Sequence, residues 1–396
     1  GLGDVYKRQP LRQWIVSLTM HEVGHTLGLR HNFKASWLYD THEIHDKSVT
    51  GKAHISSVMD YDPINIAPEG VQQGNFFPHG PGFYDIWAIQ FGYTPNLSSE
   101  ARKELLAKSS LPQYKYGTDG DAMGSPGYGI DPRAKRYDMS SDPVTYTEQR
   151  IEIIHNKISE LPEIFGSEGS TYTELRAAYN GFIREQGRFF EGVSRLIGGV
   201  YSNRIVVGQP GELTPYETVT YQDQKRAMNL LNSKLFANDA FSFDPEVLKL
   251  LQPEKRAAYN PNENANDDPK LHGTVLGMQE RVLQHVLSPT VMLRLSDSSK
   301  YGNEYSPSEV LEDLENGIFV KKEIPSSFKR NLQSSYIDNL IKAVDSNNYD
   351  DISKSALYNS LVSIKGFTKS SLTISDKAAK EHFRYLNWKI NSYLEN

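Results

Sequence analysis

The chain has 396 residues, 38% of them hydrophobic and 23% charged, with a formal net charge of −6 at pH 7. That length supports two or three domains with cores of their own, and an acidic balance with scattered basic residues excludes a nucleic-acid or anionic-membrane partner. There is no cysteine, so any metal must sit on histidine and carboxylate, and disulfides and thiol nucleophiles are excluded.

Gly1–Gln9 reads as a leader foreign to the rest of the chain. Pro10 suits a first helical turn. From there Leu11, Trp14, Ile15 and Leu18 fall at i, i+3, i+4 and i+7, the stripe of an amphipathic helix. The stripe runs on to His21 and His25, which are therefore expected on the buried-facing side. Gly28 stands where a helix end calls for a left-handed residue.

Residues 32–80 read as irregular, with Pro and Gly throughout. Helices are expected over Tyr84–Phe91, with Tyr84, Trp87, Ala88 and Phe91 as its core face, and over Ser99–Lys108. Residues 113–145 read as a long loop or linker. Beyond it the spacing predicts helices over Thr147–Ile158, Thr171–Leu196, Tyr221–Phe236, Leu271–Leu287, Ser326–Val344 and Asp376–Leu394. Arg204–Val207 and Glu217–Thr220 could pair as a small hairpin. No repeat is present, and no apolar run approaches the roughly 18 residues of a membrane span. The fold class expected is mainly α. Residues 10–112 form a catalytic core after a 1–9 leader, and 146–396 form an α-helical accessory domain.

His21-Glu22-Val23-Gly24-His25 carries the chemistry. Two histidines at i and i+4 lie about 5–6 Å apart on one helix face, close enough to share one Zn²⁺. Glu22, rotated about 100° from His21, is placed to reach a water rather than the metal. A catalytic zinc needs a third protein ligand and an open position. With the helix ending at Gly28, His31 is expected to return as that ligand.

Extended by Gly28 and His31 and followed by Ser57-Val58-Met59-Asp60-Tyr61, the motif resembles that of the metzincin clan of zinc metalloproteases. With Asn32-Phe33 and Tyr84-Asp85-Ile86-Trp87-Ala88-Ile89, it is similar to the EcxA-like met-zincin family of bacteria, strongly over residues 11–95. The resemblance implies the C-terminal portion of a zincin-like α+β catalytic domain, here without the long segment that precedes the zinc helix in that family. It implies Met59 as an apolar floor under the zinc ligands, and Tyr61 as a group that stabilises the tetrahedral intermediate. It also implies a zinc endopeptidase with Glu22 as general base, acting on protein or peptide substrates outside the bacterial cytoplasm or at the outer membrane. Two alternatives stay open: a zinc hydrolase of non-peptide amides, and a truncated, catalytically inactive fragment or binding module.

His42 and His45, with Glu43 and Asp46, are a weaker candidate for a second metal. His54 or His79 could line the cleft. Asp119, Asp121, Asp131, Asp138 and Asp142 are candidates for a Ca²⁺ site on a Gly-rich loop, although their spacing matches no EF-hand and turn chemistry accounts for them more readily. His155, His272, His285 and His382 read as structural.

Overall fold

The computed structural model describes residues 2–122, 129–211, 214–253 and 268–395, with side chains from residue 8 onward. It divides into two units. The first comprises residues 1–149 and 199–219, and the second 150–198 and 220–396. Among the described residues the architecture is mainly helical. The one sheet is a two-stranded antiparallel ladder, β1 (Val200–Ser202) with β2 (Tyr216–Thr218), in which Tyr201 faces Glu217. The expected hairpin is met only in its second strand: Arg204–Val207 is irregular, and the strand that pairs is Val200–Ser202.

In the first unit, α1 spans Leu2–Thr26 with Pro10 inside it, not at its first turn as expected. Residues 32–80 hold only single turns of helix among irregular backbone. They nevertheless build a core: Phe33, Ala35, Ile44, Ile55 and Met59 are completely buried, as are Ala134 and Met139. α2 (Phe83–Tyr93) and α3 (Ser99–Ala107) come next, both within two residues of expectation. Of the stripe, Tyr84, Trp87 and Ala88 are half-buried and Phe91 is exposed, so it is not the core face expected. Tyr84 stacks on Tyr116, and Trp87 Nε1–H donates to the Leu105 carbonyl.

The stripe of α1 departs further. Leu11, Trp14, Ile15 and Leu18 are 57%, 46%, 50% and 43% exposed, His21 is buried and His25 is exposed. The 3.6-residue period shows that these side chains share a face. It does not show what covers that face.

α4 (Pro143–Ile164) precedes the helices of the second unit, α5 (Tyr172–Ser194), α6 (Tyr221–Leu231), α7 (Leu271–Val286), α8 (Pro289–Ser298), α9 (Pro307–Ile318), α10 (Ser327–Asp345), α11 (Asp351–Ser371) and α12 (Lys377–Leu394). Side-chain oxygens set where these helices begin: Thr171, Thr220, Ser288, Ser306, Ser326, Asp350 and Asp376 each accept from an otherwise orphaned backbone N–H. α8, α9 and α11 lie outside the expected set. Ser288-Pro289 and Ser306-Pro307, a cap followed by proline at the first helical position, signal the first two. α7 packs on α5 and α10, and α11 on α9, α10 and α12, burying Val282, Leu283, Tyr336, Leu361 and Phe383. No helix among the described residues is long and apolar enough to cross a membrane.

Candidate metal centre

The end of α1 is built as its sequence demands. Gly28 takes φ +85°, a conformation cheap only for glycine. Gly28 N–H donates to the His25 carbonyl and Leu29 N–H to that of Gly24, the paired bonds of a Schellman stop. The chain turns back, and His31 returns beside the two helical histidines: its ring centroid lies 5.3 Å from that of His21 and 4.9 Å from that of His25.

Each imidazole is oriented through its Nδ1. That of His21 lies 2.8 Å from the Val58 carbonyl, that of His25 3.0 Å from the Leu29 carbonyl, and that of His31 3.0 Å from Asp119 Oδ1. All three partners are pure acceptors, so in the neutral ring each Nδ1 carries the proton and each Nε2 keeps its lone pair. One ligand atom from each ring lies within 4.8 Å of the others. The Nε2 atoms of His21 and His25 are 3.1 Å apart, and buried His31 Nε2 has no hydrogen-bond partner among the described residues. Two nitrogens about 2.0–2.1 Å from one tetrahedral ion would be roughly 3.3 Å apart. Three converging lone pairs with no donor among them fit a cation, and the donor set fits zinc. Burial holds the His21 imidazole below its ordinary pKa against the pull of the Val58 bond, and the two neighbouring histidines add to the effect.

The support behind these ligands comes from three segments. Asp85, buried at the start of α2, accepts from Ser57 Oγ, Val58 N–H and Gly82 N–H. It thereby fixes the residue whose carbonyl orients His21. Met59 is completely buried, with its thioether against Gly24 between the two helical histidines. Asn32 clamps a third segment: its N–H donates to the Met59 carbonyl, its Nδ2 to that of Lys115, and its Oδ1 accepts from Gly117 N–H. That clamp delivers Asp119 to His31. Sequence reasoning misses this part for both acids. Asp119 reads there only as one of the loop acids, and Asp85 only as a member of Tyr84-Asp85-Ile86-Trp87.

Glu22 is exposed, and its carboxylate has no hydrogen bond or ion pair among the described residues. Tyr61 lies over the triad, its ring 4.7 Å from that of His31 and 5.3 Å from that of His21. Burial, with the nearby Asp119, pushes its hydroxyl up from the ordinary value, so it stays a proton donor at neutral pH. Glu22, Tyr61 and His21 line one cavity of about 200 Å³.

The weaker candidates separate. His21, His25 and His31 are the one cluster of three metal-ligating side chains among the described residues, so His42 and His45 form no second centre. Among the described residues the loop acids form no calcium cage. Asp119 faces His31, Asp121 pairs with Arg204, Asp131 with Arg133 and Lys34, Asp138 accepts from Trp37, and Asp142 caps Thr145. His54 is completely buried, and His79 lines a different cavity with Arg8 and Arg12. His155, His272, His285 and His382 hydrogen-bond to Gln186, Ser327, Ser194 and Gln333.

A family model described as Met-zincin matches residues 4–325. No curated protein and no solved structure matches the chain.

Proposed function

The chain belongs to the Met-zincin family, and from that membership we propose that it is a zinc-dependent endopeptidase using Glu22 as its general base. The family implies zinc and a metalloprotease-type activity. One observation carries the finer reading: three histidines, each held by an acceptor at Nδ1, turn three unprotonated Nε2 atoms on one point beside a free carboxylate.

A zinc ion held by His21, His25 and His31 would supply Lewis acidity, acidifying water and polarising a carbonyl oxygen. Glu22 takes the proton of the attacking water and passes it to the departing amine nitrogen, so that water is added across the C–N bond. The Tyr61 hydroxyl donates to the carbonyl oxygen as negative charge develops there. Asp119 keeps the His31 proton on Nδ1, and Val58 and Leu29 do the same for His21 and His25. Met59 serves as an apolar floor beneath the helical ligands. The second unit contributes none of these residues, and its part is accessory to the chemistry. The resemblance to exported bacterial proteases supports action outside the cytoplasm.

Metal analysis and peptide-library cleavage test this reading together. Wild-type protein and Glu22→Gln should each bind about one zinc, and Glu22→Gln should lose about 10²–10⁴-fold in kcat. His31→Ala should lose the metal. A Glu22→Gln protein as active as the parent would end the assignment. Cleavage of simple amides but no peptide would favour a different hydrolase.

A further inference from the structure

The cavity beside the triad has an unusual floor. Its walls are apolar and aromatic, including Trp14, Leu18, Phe77 and Tyr137, yet three carboxylates line it, Glu22, Asp60 and Asp62, and no lysine or arginine does. Asp60 is spoken for, accepting from the N–H groups of Tyr61 and Ser36. Asp62 is not. Its side chain is 7% exposed, and its Oδ2, which lies towards the buried His54 ring, has no hydrogen-bond partner among the described residues. The His54 ring nitrogen 3.7 Å away is beyond hydrogen-bond reach. A buried carboxylate oxygen left unmatched is rare in a native fold and calls for a reason. Burial, then the like charges of Asp138 and Asp62, push the Asp60 carboxyl well up from its ordinary value.

Size and position narrow the occupant. About 200 Å³ is below the roughly 300–1,000 Å³ of a pocket for a whole small ligand and suits a single side chain. The cavity shares His21, Glu22 and Tyr61 with the reacting centre, so the side chain that enters it belongs to a residue adjoining the cleaved bond. Tyr137 is held at φ +63° by its N–H bond to the Tyr61 carbonyl, and its ring stacks on that of Tyr61. Left-handed backbone at a tyrosine is strain kept where surrounding structure imposes it, and here it sets one wall.

We infer that this pocket selects a lysine or arginine side chain next to the scissile bond, its aliphatic stem against Trp14, Leu18 and Phe77 and its cationic end on Asp62. The inference rests on the peptidase reading and names its substrate class. An apolar side chain of equal length would fill the walls but leave Asp62 buried and unmatched, the situation in which a site discriminates most strongly.

Two measurements on the zinc-loaded full chain separate this inference from the reading beneath it. The first titrates two peptide hydroxamates, identical but for lysine against norleucine at the position beside the chelating group, into the protein by calorimetry. Lysine should bind about tenfold more tightly, and in Asp62→Asn, with zinc content as the folding control, the ratio should fall toward one. Equal or tighter binding of norleucine by the wild type overturns the inference without recourse to any variant. The second is library cleavage, in which lysine or arginine should adjoin the cut bond. Cleavage without that preference overturns the inference and leaves the peptidase standing. A lysine preference in binding with no cleavage upholds the pocket and removes the peptidase.

Discussion

The thioether of Met59 fills the space that a Cβ on Gly24 would need. Gly24 lies between His21 and His25 on α1, so Met59 and the two helical histidines are tied together by one close contact. Gly24→Ala should force Met59 aside and cost about 1–3 kcal/mol of stability, read as a lower Tm. Met59→Ala in the same chain should restore part of that loss, because the two changes compete for one volume. Strictly additive losses would show that they do not.

Asp119 holds the His31 ring from the far side of the metal position. Asp119→Ala should weaken zinc binding by about 10–100-fold, measured by competition with a chromophoric chelator, while leaving the secondary structure unchanged. Undiminished affinity would mean that the Asn32 clamp alone positions His31.

Tyr61→Phe removes a donor whose effect is confined to the transition state in the mechanism proposed. The expected outcome is a kcat lower by about 10²–10³-fold with KM little altered. A rise in KM at constant kcat would instead make Tyr61 a substrate-binding residue.

Stability should fall in acid through Asp131. Burial works to raise its carboxyl, but the bidentate Arg133 guanidinium and the Lys34 ammonium outweigh it and hold it at about 2. The folded value lies below the unfolded one, so the contribution is complete above about pH 4 and is lost as the pH falls toward about 2. Burial also pushes the Lys34 ammonium down, which offsets part of the gain and leaves about 1–2 kcal/mol. Asp131→Asn should flatten this acid limb in denaturant titrations between about pH 5 and about pH 2. An unchanged limb would place the acid sensitivity elsewhere.

Much of the centre is legible in the sequence because it is local. A helix of 3.6 residues per turn puts His21 and His25 on one face whatever surrounds it, and Gly28 at φ +85° ends that helix where His31 can return. The starts of α8 and α9 carry a signal of the same local kind, a Ser-Pro cap acting within one turn, although neither helix is among those expected. The exposed face of α1 is not. Leu11, Trp14, Ile15 and Leu18 show a perfect apolar period and still face outward, because periodicity describes one helix and burial requires a second surface.

What the sequence by itself determined is therefore local: two histidines on one helix face and a helix stop that lets a third join them. Only the tertiary structure decided how those side chains are held and which cavity they adjoin. Asp85 reaches Val58 across 27 residues, and Asp119 reaches His31 across 88. Asp62 meets Trp14 and Tyr137 in one cavity. Spacing rules extend over one turn of helix or one strand pair, whereas these contacts depend on the path of irregular backbone through residues 32–80 and the loop carrying Asp119, for which no period exists.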